Sequence, residues 1–326
     1  MQLVVKTFIV LMLVSLVLAV LVQWRASARE ASVEAEFPPS GRFIDVEGTK
    51  IHLNVSGQGP DIVLIHGASG SLRDFTFELV PLLEQNYRVI AVDRPGMGRS
   101  DRPAGYGGPF NISSEPPVLQ AQLLQAATDQ LGVIQPIVVG HSYGGAIALA
   151  WALERPDTTG GLVLLGAASN PWPGQLGFLY RMNATVFGSA VAIPLITAFT
   201  PHVVIQDTLG EIFAPQKPPE GYMAHFGPDM TLRRSTMRAN AQQVNGLKPH
   251  ITEMAARYHS LTLPIEILHG TEDVTVPLDI HSIPLSQQAR SAELTKMEGV
   301  GHMPHHADPQ AVRSAIDRVI ERADLR

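Results

Sequence analysis

The chain of 326 residues contains no cysteine, so disulfide bonds and thiol chemistry are excluded. No run of lysine or arginine occurs in the body of the chain and the formal net charge is −6, so nucleic acid is not expected as a partner. Repeats and long low-complexity tracts are also missing. What is present is an apolar content of 45%, which is enough for one large domain with a buried core.

A long hydrophobic segment lies at the N-terminus. Between Leu3 and Val22 only Lys6, Thr7 and Ser15 interrupt the apolar residues. About 20 such residues suffice to cross a hydrocarbon core of roughly 30 Å. We therefore predict that residues 1–25 form a transmembrane anchor or a signal peptide.

The residues that follow bear on whether this segment is cleaved. Residues 26–28 resemble a small-residue cleavage site, but Trp24 and Arg25 intervene, so we favour a retained anchor. Residues 26–40 are predicted as a linker. The domain after it is expected outside the cytoplasm, membrane-anchored on the periplasmic or extracellular side, or secreted if the segment is cleaved. Balanced flanking charges do not fix the orientation.

A serine lies in a glycine-flanked pentapeptide. The sequence Gly140-His141-Ser142-Tyr143-Gly144 stands between an apolar run and a helical pattern of small residues. A serine that leaves a buried strand and enters a helix within one residue takes a strained conformation, which only small neighbours tolerate. The pattern predicts a nucleophile elbow, with the Ser142 oxygen at a helix N-terminus that favours negative charge.

A serine hydroxyl needs a base to remove its proton, and that base is usually a histidine oriented by a carboxylate. His302 lies in a glycine-flanked loop near the C-terminus, and we predict it as the base. Asp273 follows the buried strand predicted at 265–270 and is predicted as the orienting acid. Its neighbour Glu272 is a rival that would point away if Asp273 faces His302.

The anionic intermediate of acyl transfer needs hydrogen-bond donors aimed at its oxygen. The backbone N–H of Tyr143, directly after the nucleophile, is one predicted donor. A second is expected in the loop His66-Gly67-Ala68-Ser69-Gly70, which follows an apolar strand. We predict the N–H of Ala68 as that donor.

The order Ser142, Asp273, His302 along the chain resembles that of the α/β-hydrolase superfamily. The segment from Asp93 to Asp101 reads D-R-P-G-M-G-R-S-D and is similar to the D-x-P-G-x-G-x-S loop of this superfamily. With serine as the predicted nucleophile, the chain resembles the lid-bearing, esterase- and lipase-like branch of this superfamily. Serine at this position argues against the epoxide hydrolases and haloalkane dehalogenases, which use an aspartate.

This resemblance implies an α/β fold with a mostly parallel, eight-stranded sheet and helices on both faces, and the apolar N-terminal segment adds a membrane helix in front. The core is expected to comprise residues 41–170 and 259–326. Residues 171–258 carry no family motif and are predicted as a helical lid inserted into the core. Alternating strand and helix patterns along the chain agree with this architecture.

Other candidate sites are interpreted as structural. His66, His141 and His269 each flank a strand end, where a ring nitrogen can bind a neighbouring backbone carbonyl. The motif His302-x-x-His305-His306 suggests a metal, but no carboxylate or cysteine of matching spacing accompanies it, so no metal is predicted. Asp93 precedes the serine in a turn-like setting, and the glycines after it lack a dinucleotide fingerprint. No cofactor is predicted.

The expected function is hydrolysis of a carboxylic ester through an acyl-enzyme. The phenylalanines and methionines of the insertion could line a pocket for an apolar group of a small-molecule substrate. Cleavage of carbon–carbon, amide or thioester bonds and a cofactor-free peroxidase-like activity remain alternatives, because family membership does not fix the reaction. A ligand-binding receptor that uses the same pocket, or a membrane scaffold, are the non-enzymatic alternatives. The oligomeric state is not predicted.

Overall fold

The computed structural model describes residues 1–325 and is built on an eight-stranded sheet. The strand order is β1-β2-β4-β3-β5-β6-β7-β8. The second strand runs antiparallel to its two neighbours, and every later pairing is parallel. The strands are β1 (Arg42–Val46), β2 (Thr49–Ser56), β3 (Asp61–Ile65), β4 (Arg88–Val92), β5 (Ile137–His141), β6 (Gly161–Leu165), β7 (Ile265–Gly270) and β8 (Ala292–Met297). The α/β architecture and the mostly parallel sheet are thus as predicted.

Thirteen α-helices surround the described sheet, numbered here in chain order. The first, α1 (Gln2–Glu36), precedes the sheet. The helices of the core are α2 (Arg73–Thr76), α3 (Leu79–Leu83), α4 (Pro117–Asp129), α5 (Tyr143–Glu154), α11 (Ser282–Gln288), α12 (Pro304–Ala307) and α13 (Pro309–Arg322). Helices α4 and α5 pack on one face of the sheet, and α3 and α13 pack on the other. The central strands are buried on both faces, which is why they read as continuous apolar runs.

The connection between β6 and β7 is long and helical. We call residues 171–258 the cap. It contains α6 (Phe178–Asn183), a π-helical turn at Gly188–Ala192, α7 (Ile193–Phe199), α8 (His202–Phe213), α9 (Tyr222–Phe226) and α10 (Arg234–Ala255). Short 3₁₀ turns lie at Pro156–Thr158 before the cap, at Pro228–Leu232 within it and at Tyr258–Ser260 at its end. Helix α10 packs on α5, so the cap lies over the nucleophile strand and its helix.

The N-terminal helix is longer than the predicted anchor. It continues to Glu36, through most of the segment predicted as a linker. Ala26 and Val33 are buried, and the side chain of Glu30 pairs with Arg234 of the cap at 2.6 Å. Composition suggested a linker, but these contacts with the cap support a helical arm between residues 26 and 36.

The apolar part of α1 projects from the domain. From Leu3 to Leu21 its large hydrophobic side chains are exposed, and α1 is long and apolar enough to cross a membrane. A helix at this position has the composition of either a membrane anchor or a signal sequence.

Candidate active site

Ser142 lies at the junction of β5 and α5. Its backbone has φ 53° and ψ −118°, a strained conformation for a residue with a side chain. A Cβ atom at Gly140 would collide with the carbonyl of Gly144, and one at Gly144 would collide with the carbonyl of Ile65. The predicted turn is therefore present, and both glycines are needed for it.

His302 and Asp273 are hydrogen-bonded to each other. The Nδ1 atom of His302 lies 2.7 Å from Oδ2 of Asp273. The other carboxylate oxygen, Oδ1, accepts the backbone N–H groups of Thr275 and Val276 at 2.9 and 2.8 Å. Because those two donors hold Oδ1, Oδ2 faces the imidazole.

The environment keeps Asp273 ionised. Burial by itself would raise the pKa of Asp273, but hydrogen bonds from His269 and His302, the charge of His302 and the N–H of Val276 outweigh it. The pKa of this carboxyl is therefore well below its ordinary value. A permanent negative charge at Asp273 can stabilise an imidazolium at His302.

Asp273 and His302 flank the backbone turn that follows β6, and the backbone of Ser142 is bonded to the strand that leads into it. A Cβ atom at Gly166 would lie 3.3 Å from Oδ2 of Asp273 and 3.5 Å from Nδ1 of His302. The N–H of Ser142 donates to the carbonyl of Leu165 at 2.9 Å. The structure therefore places Ser142 and the hydrogen-bonded pair of Asp273 and His302 beyond the carboxyl-terminal ends of neighbouring strands, on either side of this turn.

The loop after β3 passes directly beside the nucleophile. A Cβ atom at Gly67 would lie 3.1 Å from the Cβ atom of Ser142. Ala68 follows in this loop, and Tyr143 is the first residue of α5. Within residues 1–325 neither the N–H of Ala68 nor that of Tyr143 donates to another protein group. Two unpaired donors are thus available at the place where the sequence predicts an oxyanion hole.

The carboxylates that competed for the acid role lie elsewhere. Glu272 is exposed to solvent, whereas Asp273 is buried. Asp93 is buried and accepts hydrogen bonds at 2.7 Å from the ring of His52 and from the backbone N–H groups of Leu72 and Arg99. Asp93 therefore fixes the loop after β4, which agrees with its interpretation as a structural residue.

The three strand-end histidines bind backbone carbonyls, as predicted. His66 Nδ1 contacts the carbonyl of Gly67 at 2.9 Å, His141 Nε2 that of His302 at 2.8 Å, and His269 Nε2 that of Val276 at 2.7 Å. The contact of His141 ties the backbone of His302 to the residue that precedes Ser142. These histidines thus bind backbone groups around the site, and His269 also contacts Asp273 at 3.3 Å.

A carboxylate does meet the histidines that follow His302, which corrects the sequence analysis. Asp74 accepts hydrogen bonds from Nε2 of His305 at 3.0 Å and Nε2 of His306 at 2.8 Å, and from the hydroxyl of Tyr222 in the cap at 2.7 Å. More than 200 residues separate Asp74 from the two histidines, so local spacing could not reveal the contact.

Asp74, His141 and His305 also present possible ligand atoms within 4.8 Å of one another, a separation that a metal ion could bridge. Both oxygens of Asp74 already accept direct hydrogen bonds, however. Burial would raise the pKa of Asp74, but the charges and hydrogen bonds of His305 and His306 hold it well below its ordinary value. We interpret the cluster as a network that joins the cap to the loop of His302.

An apolar cavity of about 400 Å³ lies within the cap and reaches the loop after β3 at Ser69. It is lined mainly by aliphatic side chains, including Leu179, Ile196, Val204, Ile205, Leu209 and Ile212. Asn240 of α10 stands between cavity and loop: it accepts the N–H of Ser69 at 2.7 Å and donates to its hydroxyl at 2.8 Å. Larger clefts of about 500 and 670 Å³ lie where α1 meets the domain, away from Ser142.

The profile of the alpha/beta hydrolase family matches residues 62–315. This match covers most of the chain, and the protein belongs to the alpha/beta hydrolase family. Hydrolysis, the activity for which this family is named, agrees with the geometry of the site. Membership of the family does not determine which bond is cleaved.

Known proteins that are similar to this chain include hydrolases named for different substrates. A 2-hydroxy-6-oxononadienedioate/2-hydroxy-6-oxononatrienedioate hydrolase of Escherichia coli is 28% identical over 292 residues, which cover 82% of this chain and 92% of that protein. The crystal structure of the esterase RhEst1 from Rhodococcus sp. has a TM-score of 0.65 and 24% identity, with 86% and 98% of the two chains covered. A membrane phospholipase A has a TM-score of 0.67 and 20% identity, with 98% of both chains covered. At these identities the two structures show a shared fold.

Proposed function

We propose that the protein is a serine hydrolase that cleaves carboxylic esters through an acyl-enzyme. The observation that carries this proposal is the buried pair of His302 and Asp273 beside a strained Ser142 at the elbow. In this arrangement the Ser142 oxygen attacks the acyl carbonyl while His302 takes the hydroxyl proton. Asp273 holds the imidazole in the tautomer whose Nε2 can accept that proton.

The remaining steps use the same groups. The N–H groups of Ala68 and Tyr143 stabilise the negative oxygen of the tetrahedral intermediate. His302 then gives its proton to the departing alkoxide, and the alcohol leaves an acyl group on Ser142. Water attacks this acyl-enzyme with His302 as the base, which releases the acid and restores the serine.

The cap cavity supports an apolar acyl group as the substrate's main binding element. One end of this mainly aliphatic cavity is lined by Ser69, in the loop that carries the proposed oxyanion donor. A chain bound there buries apolar surface, worth about 0.8 kcal/mol for each methylene. We therefore propose an ester with a medium or long hydrocarbon chain.

The position of α1 supports a membrane-associated substrate. The guanidinium of Arg25 lies 5.2 Å above the ring of Phe199 in the cap, and Phe199 and Trp24 are both largely exposed. We propose that α1 is retained as an anchor and that the domain lies outside the cytoplasm, with the cap near the bilayer. Since the membrane phospholipase A resembles this chain over 98% of its length, a phospholipid is a reasonable test substrate.

Carbon–carbon bond hydrolysis is the second candidate, because the E. coli relative is named for a substrate of that kind. Amide, thioester and peroxidase-like chemistry would use the same three side chains. A ligand-binding receptor would need the cavity but not the hydroxyl of Ser142. Substitution of Ser142 therefore distinguishes an enzyme from a ligand-binding receptor.

The test uses the full chain in detergent micelles with p-nitrophenyl esters of two to twelve carbons, a phospholipid and a 2-hydroxy-6-oxodienoate. The proposal expects ester cleavage that improves with chain length and disappears in Ser142→Ala. Ser286→Ala, in α11 and outside the site, is the matched control and should retain full activity. Folded protein that cleaves no ester, or a Ser142→Ala variant as active as the parent, would overturn the proposal. Preferential cleavage of the dienoate would favour the second candidate.

A further inference from the structure

A positive charge without a carboxylate partner is buried beneath the oxyanion loop. The side chain of Arg94 is fully buried, and among residues 1–325 no carboxylate lies within ion-pair distance of it. Its guanidinium donates instead to neutral oxygens, those of Gln120 at 3.3 Å, Gln243 at 3.2 Å and the carbonyl of Gly67 at 3.2 Å. A buried charge without a direct ion pair is costly; here these hydrogen bonds and the more distant negative charge of Glu115 offset part of that cost.

The contact with Gly67 defines the orientation of one peptide unit. Its carbonyl also accepts the Nδ1–H of His66 at 2.9 Å and the N–H of Gly70 at 3.3 Å. Burial and the nearby charge of Arg94 lower the pKa of His66 to about 4, so the ring is neutral. Its Nε2 accepts the backbone N–H of Arg94 at 3.1 Å, which leaves the proton on Nδ1. Three donors therefore hold the Gly67 carbonyl toward the interior.

The orientation of the Gly67 carbonyl also determines the orientation of the Ala68 N–H, because both belong to one peptide unit. In a trans peptide the carbonyl and the following N–H point in opposite directions. With the carbonyl directed inward, the N–H of Ala68 is directed away from the interior. Gly67 also packs against Ser142, so the loop that carries this N–H passes directly beside the nucleophile.

Arg94 also contacts the residue that carries the second donor. Its guanidinium carbon lies 4.3 Å from the centre of the Tyr143 ring. Gln120 donates to the hydroxyl of the same tyrosine at 3.2 Å. Gln243 belongs to α10, one turn after Asn240, which binds Ser69. Arg94 is thus linked to both donors and to the cap.

We propose that Arg94 is the positioning residue of the oxyanion hole: it holds the Gly67 carbonyl, and with it the Ala68 N–H, in the orientation that the acyl oxyanion requires. Arg94 does not touch the substrate and acts through Gly67 and Tyr143. Its buried charge adds a favourable field at a place where negative charge develops. This inference rests on the proposed ester hydrolysis.

The test compares Arg94→Met and Arg94→Lys in the full chain, with kinetics per folded enzyme. Removing an oxyanion donor typically costs about 10²–10³ in kcat, so a misaligned donor should cost about 10–10² in Arg94→Met. KM should change less than twofold, because the donor acts on the transition state more than on the bound ester. Arg94→Lys keeps the charge without the planar fork and should recover only part of the loss.

An inhibitor provides a readout that a purely structural role would not change. A trifluoromethyl ketone forms a hemiketal oxyanion on the serine, and its affinity should fall by the same factor as kcat/KM. The matched control is Arg318→Met, which removes one of two arginines from the buried Glu266 near the start of β7 and should leave kcat unchanged.

Unchanged kcat and inhibitor affinity in folded Arg94→Met would overturn the inference. If that variant does not fold, Arg94→Lys and Gln243→Leu are judged by the same two measurements. Failure of the underlying function looks different: the unmodified protein would then cleave no ester at all.

Discussion

The core and the cap are built in different ways. In the core, each proposed catalytic group stands at the end of a strand, and backbone contacts fix its place, as Gly144 against Ile65 and Gly166 beside Asp273 show. The cap combines one long helix, α10, with shorter helices, and it exposes apolar side chains such as Phe187 and Phe199. Two polar side chains of α10 join it to the core: Asn240 binds Ser69 of the oxyanion loop, and Gln243 binds Arg94 beneath it.

This difference places the groups that carry out the reaction in the core and the side chains that select the substrate in the cap. Groups that must be aligned to within fractions of an ångström are placed on short segments that follow strands of one sheet, which cannot move independently. The aliphatic cavity lies in the part of the chain with fewer constraints, where side chains can vary without disturbing Ser142. Changes in the core should therefore alter the rate for every ester, and changes in the cap should alter the choice among esters.

The largest effect is expected from Asp273→Asn. The amide oxygen should take the place of Oδ1, which accepts two backbone N–H groups, so the amide nitrogen would face His302. That forces the tautomer with a proton on Nε2, which cannot accept the serine proton. The kcat for all esters should fall by about 10⁴.

Glu272→Gln, at the exposed neighbouring carboxylate, is the control and should leave kcat unchanged. Steady-state kinetics with a short and a long ester checks both variants. If Glu272→Gln proved the more damaging of the two, the assignment of the acid would be wrong.

A smaller, selective effect is expected from Leu209→Trp in the cap cavity. Filling space for two or three methylenes removes about 2 kcal/mol of binding, or roughly thirtyfold in kcat/KM for dodecanoyl esters. Acetyl esters should react as before. Glu211→Trp, on the exposed side of the same helix, is the control. An equal loss for short and long chains would show that this cavity does not bind the acyl group.

Asp74 lies where core and cap meet, and its substitution should change the acid stability. Its pKa in the folded state is lower than in the unfolded chain, so unfolding takes up a proton in acid. Stability present above about pH 5 is then lost as the pH falls toward the folded pKa.

Asp74→Asn should lower the free energy of unfolding at pH 7 by about 1–3 kcal/mol and make its decline between pH 5 and pH 3 shallower. Denaturant titrations over that range measure both. Asp129→Asn, in an exposed pair with Arg155, should keep the original slope. A steep slope retained in Asp74→Asn would place the acid sensitivity in another carboxylate.

The smallest effect is expected where the arm of α1 contacts the cap. Glu30 and Arg234 are each partly exposed, so Glu30→Gln should cost about 0–1 kcal/mol and shift Tm by about 2 °C or less. Hydrolysis of acetyl esters should not change. Thermal unfolding of the full chain in detergent, with activity measured in parallel, checks this, and a large loss of acetyl ester hydrolysis would contradict the separation of the two regions.

The sequence was most informative where structure is local. The elbow depends on five consecutive residues, and the strands around it are long apolar runs, so both could be predicted. The contact of Asp74 with His305 joins distant segments and left no local signal. The helical arm from residue 26 to Glu36 was also missed, because it is stabilised by the cap rather than by its own composition.

The most direct measurement is intact-mass analysis of the full chain after reaction with a fluorophosphonate, beside Ser142→Ala. The account predicts one phosphonyl adduct per chain, mapped to Ser142, and none in the variant. Folded protein that gains no adduct, or an adduct that persists in Ser142→Ala, would contradict an activated serine at the elbow.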